Sequence, residues 1–76
     1  MAIEANDLIG IARQALTNAA IHPTDLRLKA YGKVGEEWHI DVLYKKGPSS
    51  GEIAVALAIK AETGEVRAFW EGRTWK

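Results

Sequence analysis

The chain has 76 residues, enough for one domain spanning 1–76, and at that size folding buries only roughly 60% of the surface an unfolded chain exposes. Ten basic residues balance ten acidic ones, so no net field draws the molecule to nucleic acid or to an anionic membrane, and electrostatic binding must be local. With no cysteine there is no disulfide and no thiolate zinc site, which leaves packing or association to supply stability.

The opening "MAIEANDLIG" lacks a cationic segment followed by an apolar run, so no export signal is expected and a cytoplasmic location is. No apolar run approaches the roughly 18 residues that suggest a membrane span. Residues 4–21, "EANDLIGIARQALTNAAI", predict the one helix. Leu8, Ala12, Ala15 and Ala19 recur at helical spacing, with Ile9, Leu16 and Ala20 widening the stripe. Asn6 and Asp7 suit its start, while Pro23 cannot continue a helix and marks the stop. His22 is expected to interact with the last carbonyls. The alanine-rich stripe lets the helix lie close to what it covers, and a sheet is the natural candidate.

Four strands are expected to follow. "DLRLKAYGKV" (25–34) alternates Leu26, Leu28 and Ala30 with Arg27, Lys29 and Tyr31. "EWHIDVLYKK" (37–46) sets Trp38, Ile40, Val42 and Tyr44 against His39, Asp41, Leu43 and Lys45. "EIAVALAIKA" (52–61) sets Ile53, Val55, Leu57 and Ile59 against Ala54, Ala56, Ala58 and Lys60. The last begins near Glu65. Period-two alternation predicts half-buried antiparallel strands. The short connections at 35–36, 47–51 and 62–64 each carry glycine, so the strands form a meander. The expected fold is α+β: one N-terminal helix packed on a four-stranded antiparallel meander.

Parity places the last aromatics: if Val66, Ala68 and Trp70 face the helix, then Arg67, Phe69, Glu71, Arg73 and Trp75 face away. A three-residue bulged turn at Glu62-Thr63-Gly64 reverses that, burying Phe69 but also Arg67 and Glu71, which costs several kcal/mol without close partners, so the first register is expected. Trp38 and Trp70 are then expected in the core. The outer face collects Tyr31, Leu43, Ala54, Ala56, Ala58, Phe69 and Trp75 within a cationic rim. Such a patch on an uncovered sheet face suggests a protein interface, with Tyr31, Leu43, Ala56, Phe69, Arg73 and Trp75 carrying it and a second copy as one partner.

Other chemistry has less support. His39 and Asp41 share a strand face but make at most half a tetrahedral metal site, so neither metal nor cofactor is expected. Ser49 and Ser50 lack a nucleophile elbow, "GPSSG" lacks the lysine of a phosphate loop, and Glu36 and Glu37 sit at a turn. No convergent acid, base and nucleophile appears, so catalytic residues are not assigned and a non-enzyme is expected. The rival is single-stranded nucleic-acid binding, with Phe69, Arg73, Trp75 and Lys76 stacking bases and meeting phosphates. Against it stand zero net charge and the acids Asp41, Glu52 and Glu71.

The stretch "AIKAETGEVRAF" after a strand beginning "WHIDV" resembles the PepSY and half-cystatin group of small domains, through Ile59, Ala61, Thr63, Gly64, Glu65 and Val66, with Trp38, Ile40 and Val42 before them. That resemblance implies a cystatin-like helix-on-sheet domain whose relatives bind proteins and inhibit or escort peptidases. The Q-x-V-x-G hairpin of cystatin inhibitors is lacking, so peptidase inhibition does not carry over. The tail is also similar to gas vesicle protein O, at Gly64, Glu65, Val66, Phe69, Arg73 and Trp75, which implies an accessory role in a larger assembly. It departs from that family at Trp70, Glu71 and Gly72, where the family is basic.

Overall fold

The computed structural model describes residues 3–75. A 3-10 turn at Ala5–Asp7 runs into helix α1, Leu8–Asn18, and four strands follow: β1 Asp25–Val34, β2 Glu37–Lys45, β3 Ile53–Lys60 and β4 Val66–Glu71. They form one antiparallel sheet in the order β1-β2-β3-β4, the expected α+β meander under a single helix. Among the described residues no helix is long and apolar enough to cross a membrane.

Local chemistry sets the element ends. The Glu4 N–H donates to Asp7 Oδ2 at 2.9 Å, closing the first turn. The helix stops earlier than Pro23 predicts, because Ala20 takes φ 63°. There the Ile21 N–H bonds Leu16 O at 2.8 Å and the Ala20 N–H bonds Thr17 O at 2.9 Å, the paired bonds of a Schellman end. Backbone donors thus take the terminal carbonyls expected for His22, whose side chain is exposed. Gly35, at φ 62°, opens the two-residue β1–β2 turn, and Gly64, at φ 81°, closes the β3–β4 turn by donating to Lys60 O at 2.8 Å. In the β2–β3 loop, Ser50 Oγ accepts from the N–H groups of Lys46 and Gly47 at 3.0 and 3.1 Å.

The core lies between α1 and one sheet face. Leu8, Ala12 and Leu16 meet Ile40, Val42 and Tyr44 of β2 and Val55, Leu57 and Ile59 of β3, all fully buried. The alternation in β2 and β3 therefore holds as read, with the β3 aliphatics under the helix and its alanines on the other face.

Both edge strands depart from simple alternation. In β1 the pairing runs Leu28↔Val42 and then Ala30↔Asp41, leaving Lys29 as an inserted residue. This bulge moves Tyr31 opposite Ile40, on the helix side, where its ring lies 6.0 Å from Trp38, so Tyr31 is not part of the outer face. In β4, Val66 pairs with Ile59 but Ala68 with Ala58, leaving Arg67 inserted. Val66 and Phe69 consequently both face the helix, and Trp70 faces away at 40% exposure. The expected placements of Phe69 and Trp70 are thus reversed. The bulge resolves the cost of burying charge, since Arg67 stays exposed and Glu71, at the end of the strand, receives the Tyr44 hydroxyl.

Candidate functional site

The outer sheet face is not open. Beyond β4, the Gly72 N–H donates to Ala54 O at 2.6 Å, and Gly72 takes φ 82°, turning the chain back across β3 and β2. Trp75 ends this strap. Its backbone N–H donates to Asp41 Oδ1 at 2.8 Å and its indole N–H to Leu57 O at 2.8 Å. Its ring stacks on His39 with centroids 4.0 Å apart and planes 10° apart, and meets Trp70 edge-on at 5.1 Å. Arg73 lies over the Trp70 ring at 5.7 Å. Under this cover Ala56 is 1% and Ala58 4% exposed, so the alanines read as a docking face are seated under the chain's own tail.

The six residues expected to bind therefore divide. Leu43, Ala56, Arg73 and Trp75 belong to the outer face, where Trp75 and Arg73 form the cover, Ala56 lies beneath, and Leu43 is half-buried. Tyr31 and Phe69 are on the helix side, at the two opposite edges of the sheet. His39 and Asp41 are held by Trp75, with Glu37 Oε1 3.4 Å from His39 Nε2. Among the described residues no three His, Cys, Asp or Glu side chains gather as a metal-binding group.

A second feature lies on the helix side. An open groove of about 650 Å³ runs between α1 and β4, lined chiefly by Ile11, Ala15, Ala19, Val66 and Phe69. It exists because α1 presents alanines where a wider stripe carries larger side chains, leaving Phe69 half-covered. Gln14 and Asn18, hydrogen-bonded to each other at 3.0 Å, rim it. Sequence reading missed Ile11, Ala15, Ala19 and Val66 as a surface, although the run of small residues at helical spacing was the available signal.

The groove runs beside the outer edge of β4, which among the described residues pairs with no further strand. Since the Gly72 N–H points into the sheet toward Ala54, the antiparallel alternation gives Trp70 and Ala68 the same inward orientation. Phe69 and Glu71 then turn their backbone N–H and C=O groups to the outside. The edge of β1 differs in charge, for it carries Arg27, Lys29 and Lys33, while both edges carry a bulge, at Lys29 and at Arg67.

One titratable group near β4 is perturbed. The Tyr44 hydroxyl is pushed up to about 12 by its burial first, and then by its hydrogen bond to Glu71 and that carboxylate's charge. It remains a neutral donor that ties β2 across β3 to the end of β4.

No protein-family model, no curated protein and no solved structure matches the chain.

Proposed function

We propose that this chain is a non-enzymatic protein-interaction module that binds an extended, alternately apolar segment along β4. The observation that carries the reading is the coincidence of an apolar groove of about 650 Å³ with a strand edge that is unpaired among the described residues. An added strand gains main-chain hydrogen bonds at Phe69 and Glu71, and every second side chain reaches the groove, which supplies selectivity. The expectation of binding on the sheet face is thereby relocated: Phe69 takes part from the helix side, while Ala56 is buried and Trp75 is held by Asp41, His39 and the Leu57 carbonyl. The resemblance to protein-binding cystatin-like domains agrees with this class of activity by analogy.

Single-stranded nucleic acid is disfavoured by the same strap. One face of Trp75 is stacked on His39, Arg73 already lies over Trp70, and Glu37 and Asp41 stand beside these rings.

The test is selection from a displayed library of random peptides, followed by titration of the winners. Enriched sequences should alternate apolar and polar residues, should shift the backbone amides of Phe69 and Glu71, and should bind the Ala15→Glu variant at least about tenfold more weakly, because a charge then stands in an apolar groove. Winners without alternation, or equal affinity for Ala15→Glu, would overturn the assignment.

A further inference from the structure

We infer that the segment best suited to the β4 edge is β4 of a second copy, arranged antiparallel about a two-fold axis at Phe69. The inference rests on the reading above and names its partner. Three observations carry it.

The first is backbone polarity. Phe69 turns both its N–H and its C=O to the outer edge, so two copies centred there exchange a reciprocal pair of hydrogen bonds. The second is charge. Arg67, inserted at the bulge, lies 3.9 Å from Glu37, and Glu71 receives the Tyr44 hydroxyl on the helix side, so each charge at this edge already has a partner in its own copy and a second β4 meets no unpaired like charge. The whole chain carries zero net charge, while the β1 edge presents Lys29 and Lys33 as well as Arg27, which pairs with Glu52 at 2.7 Å. The third is shape. In this register Ala68 faces Trp70 of the second copy, small against large, and on the helix side the two grooves meet over the paired phenylalanines. The product is a continuous eight-stranded sheet, with one helix from each copy on the same side.

The register is tested with single cysteines, which the chain otherwise lacks. Residues 68 and 70 of opposing copies would form a non-hydrogen-bonded pair with Cα atoms about 4.5 Å apart, within disulfide range. Mild oxidation of mixed Ala68→Cys and Trp70→Cys chains should give a covalent dimer between the two variants, and neither variant alone should cross-link at a comparable rate. Sedimentation of the unmodified chain should show twice the monomer mass at high concentration, and Ala15→Glu should weaken that dimer at least about tenfold while leaving the monomer folded. A monomer at every concentration, or equally fast cross-linking of Trp70→Cys alone, overturns the arrangement. If selected peptides still bind in an Ala15-dependent way while no dimer forms, the β4 docking site stands and only its self-pairing falls. If Ala15→Glu affects neither peptides nor dimer, both fall.

Discussion

Replacing Trp75 with alanine removes the clamp that holds the C-terminal strap on the outer face. Trp75 is 36% exposed, so about two thirds of its surface is shielded. Taking the shielded area as roughly 150 Å² at about 25 cal/mol per Å² gives about 4 kcal/mol. The indole N–H bond to Leu57 O adds about 1 kcal/mol. Against this, freeing residues 73–75 returns about 3 kcal/mol of backbone entropy, because Gly72 remains tied to Ala54. The expected net loss is about 2 kcal/mol, or a Tm lowered by roughly 8–16 °C in a domain of this size. Thermal unfolding followed by circular dichroism measures it, and methyl resonances of Ala56 and Ala58 report whether the face has been uncovered. Trp75→Phe should keep the stack on His39 and lose only the share of the indole bond. If Trp75→Ala melts within about 2 °C of the parent and the alanine methyl shifts do not move, the strap does not cover the sheet and the account of the outer face is refuted.

Three further outcomes are expected. Phe69→Ala should cost about 2–3 kcal/mol, because the ring packs against the core from β4, whereas Trp70→Ala should cost about 1 kcal/mol; urea denaturation giving the reverse order would contradict the bulge at Arg67. Ala20→Gly should stabilise by about 0.5–1 kcal/mol, since glycine accepts φ 63° without the steric cost to a Cβ, and a loss of stability in the same assay would contradict the helix end. Tyr44 holds its proton up to about 12, against a usual value of 10.0, so between those pH values the unfolded chain releases a proton that the folded chain keeps. Its contribution is thus fully present below about pH 10 and is lost as pH rises to about 12, by roughly 2–3 kcal/mol in all. Tyr44→Phe should show a shallower alkaline decline in urea stability than the parent, and parallel curves would refute the raised Tyr44 value that burial and the Glu71 bond together produce.

How far the candidate site was legible depends on which residues must be read together. The helix stripe through Leu8, Ala12 and Leu16 repeats within one segment, and the alternation of β2 and β3 is enforced on both sides by neighbouring strands. These parts follow from local periodicity. Phe69 and Trp70 do not, because a period-two pattern assigns faces only relative to a starting point, and one inserted residue exchanges them. The cost of burying Arg67 and Glu71 is physically sound, but it holds for an insertion at the Glu62-Thr63-Gly64 turn, which shifts the whole strand; a bulge at Arg67 satisfies the charges and buries Phe69 at once. The groove was harder to see, since a void is defined by what α1 and β4 both fail to fill, and neither segment records the other's distance.

By itself the sequence determined the number, order and antiparallel arrangement of the elements, the helix-facing aliphatics of β3, and the alanines on its far side. Each rests on spacing between near neighbours or on glycine at a turn, interactions that act over a few residues. Tertiary structure alone decided the insertions at Lys29 and Arg67, the exchange of Phe69 with Trp70, and the return of Trp75 to cover Ala56 and Ala58. Those choices are made by hydrogen bonds and ring contacts between residues far apart in the chain, where Asp41, His39 and the Leu57 carbonyl receive Trp75, and no local pattern encodes which distant partners will be within reach.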